Sequence, residues 1–186
     1  MSAVKLIPTS GGGSVSLAPP SSTSGADITI TMPTTSQGLG KILQVQQAVK
    51  TDTQSFQSES FADISGLSLS ITPSSSSNKI LCMASLYIGS GGGGATAKIN
   101  FVRGSTNIGQ PSTSVSHKAS MFLYTADAIM ATFTTSFLDS PSTTSATTYK
   151  LQLGADSAST ATYINRYHGA DNYNGISSLT VMEVAG

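Results

Sequence analysis

"LYIGSGGGGATAKINF", residues 86–101, carries a G-x-G-x-x-G at Gly89, Gly91 and Gly94, directly after an apolar run. This fingerprint holds a pyrophosphate only where the glycine turn opens a helix, because the free N–H groups and dipole of the helix N-terminus bind the anion. Here the chain continues with Ala97, Ile99 and Phe101 alternating against Thr96, Lys98 and Asn100. A period of two is a strand. The stretch therefore reads as strand, flexible glycine-rich hairpin tip, strand, and nucleotide binding is not expected.

Composition explains how so much glycine can sit among strands. The chain has 186 residues, enough for one domain with a real core plus a short appendage. Charged residues make up 10%, against about 25% in ordinary domains. Serine and threonine supply roughly three residues in ten. Low charge can accompany disorder, but disorder usually needs high net charge, and here the net charge is zero with 38% hydrophobic residues. The chain is expected to fold with a surface of hydroxyls, which suits strands.

The basic residues are scattered, without a cluster or interleaved aromatics that could neutralise a phosphate backbone, so nucleic acid is not an expected partner. No run approaches the ~20 apolar residues that span a bilayer, and MSAVKLIPTSGGG lacks the apolar core of a signal peptide. Membrane insertion is not expected. The single cysteine, Cys82, lies in NKILCMASLYI, whose two alternating faces are both largely apolar. A small core side chain is the expected role, and one cysteine excludes an internal disulfide framework.

Residues 1–40 differ from the rest, with glycines at 11–13, four prolines and two short alternating pieces, SVSL (14–17) and DITITM (27–32). Such a segment cannot bury a core alone, so either it is a loose tail or its strands pair with a partner or another copy of the chain. It is read as an anchoring and assembly segment. Residues 41–186 read as a head domain of strands separated by turn signals: 41–51, 66–72, 79–88, 95–103, 115–124, 128–138, 146–153, 161–166 and 176–184, with FQSES and SFADI as short extras. Regularly spaced strands without a helix predict an all-β antiparallel sandwich, of jelly-roll type.

FLDSPSTTSATTYKLQL (137–153), TYINR (162–166) and GISSLTVMEVAG (175–186) resemble C-terminal domains of tailed-bacteriophage virion proteins, including fibre and head-surface proteins. KILQVQQAVKTDT (41–53) is similar to the entry strand of such domains, and ITPSSSSNKILCMASL (71–86) to their second block. GSVSLAPPSSTSGADITITMP (13–33) is similar to strand-proline-strand segments that precede them in phage fibres. The resemblance implies a homotrimeric β-sandwich on the surface of a virus particle, held there by other virion proteins of the capsid or tail. Long fibres carry repetitive shafts that are missing here. A head decoration or cement protein, or a short knob, is therefore expected, with a short tail fibre or receptor-binding tip as the alternative.

Catalytic chemistry finds little support in the residues. There is no G-x-S-x-G, H-E-x-x-H or P-loop, no D-x-D-x-D calcium loop, and the carboxylates are isolated along the chain. No catalytic residue, cofactor or metal ligand is assigned, and the protein is expected not to be an enzyme. His117 falls on the alternating face Val115, His117, Ala119, Met121, Leu123, which predicts a core or interface histidine. Asp139, before Ser140-Pro141, reads as turn chemistry. The loop NRYHGADNYNG (165–175) is the one stretch that hints at recognition: Tyr167, His168, Asp171, Asn172 and Tyr173 combine aromatic faces with hydrogen-bonding tips. The same residues also make ordinary turns. A host surface glycan is a further candidate partner, and a carbohydrate-binding module a competing class, although such modules stack sugars on aromatics that here amount to 6% with no tryptophan.

Overall fold

The computed structural model describes residues 4–6, 15–17, 41–91, 94–115, 117–125, 129–167 and 170–186. The chain divides into two compact units, Met1–Ser36 and Gln37–Gly186. In the first, β1 (Val4–Leu6) pairs antiparallel with β2 (Val15–Leu17). The predicted strand at 27–32 lies outside the described residues.

The second unit is all strand among the described residues: β3 (Ile42–Lys50), β4 (Gln54–Phe56), β5 (Ala62–Ile71), β6 (Lys79–Ser90), β7 (Ala95–Arg103), β8 (Thr106–Ile108), β9 (Met121–Thr125), β10 (Met130–Asp139), β11 (Thr147–Ala155), β12 (Thr162–Ile164), β13 (Arg166–Tyr167), β14 (Ala170–Asn174) and β15 (Ser177–Val184). In one sheet β3, β15, β6 and β10 lie side by side, and β12 then β4 extend it where β15 leaves β6. In the other, β5, β11 and β7 are followed by β8 and β9, which share the far edge of β7. Every pairing is antiparallel. The chain crosses between the sheets so that the last strand, β15, inserts between β3 and β6, which is the double Greek key of a jelly roll.

This topology corrects the reading of the glycine run. β6 and β7 do not pair with each other; they belong to opposite sheets, and the run is a sheet-to-sheet crossover rather than a hairpin tip. The crossover leaves β6 at Gly91, whose N–H donates to the Ala161 carbonyl at 2.7 Å. Strand flanks it on both sides, where a pyrophosphate fingerprint needs a helix to follow.

Period-two alternation places Ile80, Cys82, Leu86 and Ile88 of β6 against Ile99 and Phe101 of β7, Leu151 and Leu153 of β11, and Leu179 and Val181 of β15. Fully burying each large aliphatic side chain contributes about 1.5–3 kcal/mol. Cys82 is wholly buried, and burial first, then the nearby Asp139 charge, pushes its thiol up to about 12. It is an inert core residue.

One end of the sandwich is closed by two carboxylates. Glu183 and Asp139 face the same residue, Ile80, from the strands on either side of β6. Asp139 accepts both hydrogen bonds from one Arg103 nitrogen at 2.9 Å and a third from the Tyr149 hydroxyl at 2.7 Å, so a carboxylate at the end of β10 ties the opposite sheet to its own. The turn role expected for Asp139 is thus replaced by a buried cross-sheet tie. Burial and this bond push the Tyr149 hydroxyl well above its usual range. Among the described residues Glu183 has no cation partner. It accepts from Gln44 Nε2, from the Ser74 N–H and hydroxyl, and from Asn78 Nδ2 at 2.5–2.7 Å, so neutral donors pin the connection 72–78 to β15.

Burial raises the Glu183 pKa, but those donors outweigh it and hold the group down to about 2, against the usual 4.5. A depressed carboxylate contributes stability above its unfolded pKa and loses it as pH falls through the folded one. Stability measured by chemical denaturation should therefore decline by roughly 3 kcal/mol between pH 4.5 and pH 2. Glu183→Gln, which turns an N–H₂ toward groups that are already donors, should cost about 2–3 kcal/mol at neutral pH and flatten that slope; an unchanged slope in the variant would count against Glu183 as its source.

Candidate interaction surface

Asn165 organises the stretch singled out in the sequence. It is fully buried with a left-handed φ of 61°, a conformation that asparagine tolerates better than most residues. Its N–H donates to the Tyr87 carbonyl at 2.9 Å, and its own carbonyl accepts from Gly175 N at 3.1 Å, closing the chain on itself. Its side-chain amide donates to the Lys50 and Asp52 carbonyls and accepts from the Ser177 hydroxyl at 2.6 Å. Between those two closure points the chain forms the β13–β14 pair, not the irregular loop expected.

The Tyr167 and Tyr173 rings meet edge to face, with centroids 5.8 Å apart and planes at 72°. Tyr167 is half-buried, whereas Tyr173 is 66% exposed. Asp171 and Asn172 fall on β14, where the backbone alone is described, and His168 lies outside the described residues. The hairpin rests on the outer face of β6. A side chain at Gly89 would collide with the Arg166 carbonyl, and one at Gly175 would meet the Tyr87 ring at 2.6 Å, so both glycines are required by close approach. Beside it the Arg166 guanidinium lies 4.2 Å from the Tyr163 ring centre.

Beyond Tyr87 this face has no cover among the described residues of the Gln37–Gly186 unit. Register assembles it in rows across four strands: Val45, Met182, Leu81 and Leu138, then Gln47, Thr180, Met83 and Ser136, then Val49, Ser178, Ser85 and Thr134. None of the twelve is charged. Val45, Val49, Met83 and Leu138 are 42–51% exposed, and a shallow depression of about 380 Å³ runs between Met83, Ser85, Thr134 and Ser136. These residues come from segments up to about 135 positions apart, so no local motif announces them. An uncharged sheet face with six apolar side chains set among hydroxyls and one amide is a candidate interaction surface.

The other sequence candidates fall elsewhere. His117 is exposed, not in the core or a ladder: the described residues of the segment, 110–115 and 117–120, carry no strand, and β9 begins only at Met121. The cause is Asn100, whose Oδ1 accepts from Gln110 Nε2 and from Ser120 N, drawing that segment over β7. Among the described residues no three His, Cys, Asp or Glu side chains gather as a metal cradle.

The fold and this face define a jelly-roll protein with an uncharged sheet surface bordered by a tyrosine-bearing hairpin. No protein-family model matches the chain, and no curated protein matches it in sequence. Among solved structures, the tripod from the baseplate of bacteriophage Tuc2009 is similar at 12% identity and a TM-score of 0.25, over 97% of this chain and 84% of that one.

Replacing Asn165 by alanine should cost about 3 kcal/mol or more, since it strains the left-handed backbone and strands buried donors and acceptors. Replacing Tyr167 and Tyr173 together by alanine should leave the thermal midpoint within a few degrees, because both rings lie outside the core. Thermal denaturation followed by circular dichroism reads both; a large loss in the tyrosine double variant would give those rings a structural role.

Proposed function

We propose that the protein is a non-enzymatic structural protein of a tailed-phage particle, a homotrimer whose jelly-roll heads associate through the uncharged face of the β3–β15–β6–β10 sheet. The observation that carries the reading is the apolar character of β6 on both sides. Its inner side is buried by the opposite sheet, while among the described residues of the Gln37–Gly186 unit the β13–β14 hairpin is what lies on its outer side, at Tyr87 and Gly89, and Met83 is 42% exposed. A second copy supplies a surface equally free of charge, so no ion has to be stripped of water when the two meet. The number three and the virion location rest on the sequence resemblance to phage fibre and head-surface proteins.

In this reading the Met1–Ser36 unit is the attachment end. Its β1–β2 pair is a two-stranded element, and such elements are marginal in water unless something packs on them. Capsid or tail proteins would supply that packing, with the head displayed outward as a decoration or short knob.

Light scattering on the purified full chain should give about three times its 18.9 kDa. Met83→Lys places an ammonium at the centre of the face without touching the core. It should reduce the mass to that of one chain while the circular dichroism spectrum is kept. A wild-type monomer, or a trimer indifferent to Met83→Lys, would refute association through this face.

A further inference from the structure

On the outer side of the β5–β11–β7–β9 sheet, a cleft of about 350 Å³ is lined by Thr96, Lys98, His117, Phe122 and Asp156. Register builds it: Lys98 of β7 stands opposite Phe122 of β9 and opposite Gly154 of β11, and Asp156 N donates to the Thr96 carbonyl at 3.1 Å. Lys98 is only 5% exposed. Its ammonium donates to the Glu59 carbonyl at 3.1 Å and lies 5.8 Å from the Phe61 ring centre. Among the described residues it has no carboxylate within 4.0 Å, unlike Lys50, Arg103 and Lys150. A buried cation with a carbonyl and a ring for company is costly, and it is relieved by an anion entering the cleft.

The remaining lining restricts that anion. Phe122, 45% exposed, gives the lining an apolar platform, and Tyr124, on the same side of β9 opposite Thr96, is 68% exposed. His117 and Thr96 offer hydrogen-bonding groups, whereas Asp156 is acceptor-only and repels a multiply charged ligand. We infer that this cleft is a binding site for a carboxylate-bearing sugar residue of the uronate or sialate class. The carboxylate pairs with Lys98, a ring face lies on Phe122, and hydroxyls bond to Asp156, Thr96 and His117. The volume falls in the range of small-ligand sites. The inference does not depend on the trimer, because the cleft and the uncharged face lie on opposite sheets.

Ligand-observed NMR titration of the full chain with D-glucuronate, N-acetylneuraminate, glucose and inorganic phosphate tests it. At least one of the two acidic sugars should bind about tenfold or more tightly than glucose and phosphate, the usual effect of one charge-assisted contact. Lys98→Met, which keeps the apolar stem, should remove that preference, and Phe122→Ala, at an exposed position, should weaken binding several-fold with the circular dichroism spectrum intact. Met83→Lys should bind as well as wild type, which separates this site from the oligomer. Failure of both acidic sugars to bind, equal binding of glucose or phosphate, or wild-type affinity in folded Lys98→Met and Phe122→Ala would each overturn the assignment.

Discussion

The structure depends on β6, a twelve-residue strand with hydrogen-bonded neighbours along both edges and apolar side chains on both faces. A strand paired on both edges has no free backbone groups to satisfy, which fixes it in the middle of a sheet. A strand apolar on both faces needs cover on both faces. The opposite sheet covers the inner face with Ile99, Phe101, Leu151 and Leu153. On the outer face, the described part of the β13–β14 hairpin and its base meet Tyr87 and Gly89, and the rows running through Leu81, Met83 and Ser85 extend across four strands without a charge. The proposed association of protomers follows from this imbalance.

With few charges available, the chain keeps its sheets and connections together by hydrogen bonds to a small set of buried polar residues. Glu183 gathers neutral amides and a hydroxyl, Asp139 joins the sheets through Arg103 and Tyr149, and Asn165 fixes the base of the tyrosine hairpin. Each sits at the end of a strand, where the ladder stops and backbone groups must find other partners. The hydroxyl-rich composition then serves the outer surface: serine and threonine alternate with aliphatic side chains and leave a face that is neither sticky enough to aggregate without specificity nor charged enough to resist a neutral partner.

Much of this was legible in the sequence. Alternation in β6, β7, β11 and β15 gave the class of fold and the burial of Cys82, and the strand that follows Gly94 excluded a phosphate cradle. What could not be read was anything set by register or by distant contacts. Val45, Met83, Leu138 and Met182 form one surface only after β15 has inserted between β3 and β6. The glycine run looked like a hairpin tip because a sequence does not say whether successive strands pair or part. His117 fitted an apolar alternation, yet hydrogen bonds from Gln110 and Ser120 to Asn100 hold the ends of its segment across β7 instead of in a ladder. Of the tyrosine stretch, the aromatic content was readable, but the buried left-handed Asn165 that holds it was not.

The cover on the outer face of β6 can be measured directly by methionine oxidation. Peroxide converts accessible thioethers to sulfoxides, and mass spectrometry assigns each one. Met83 stands 42% exposed in the isolated protomer, with Met182 in the adjacent row. If the face is an interface, Met83 in the assembled full chain is protected and becomes reactive on dilution to the monomer. Oxidation of Met83 at the same rate at every protein concentration would mean that the face stays open to water and that the account of assembly is wrong.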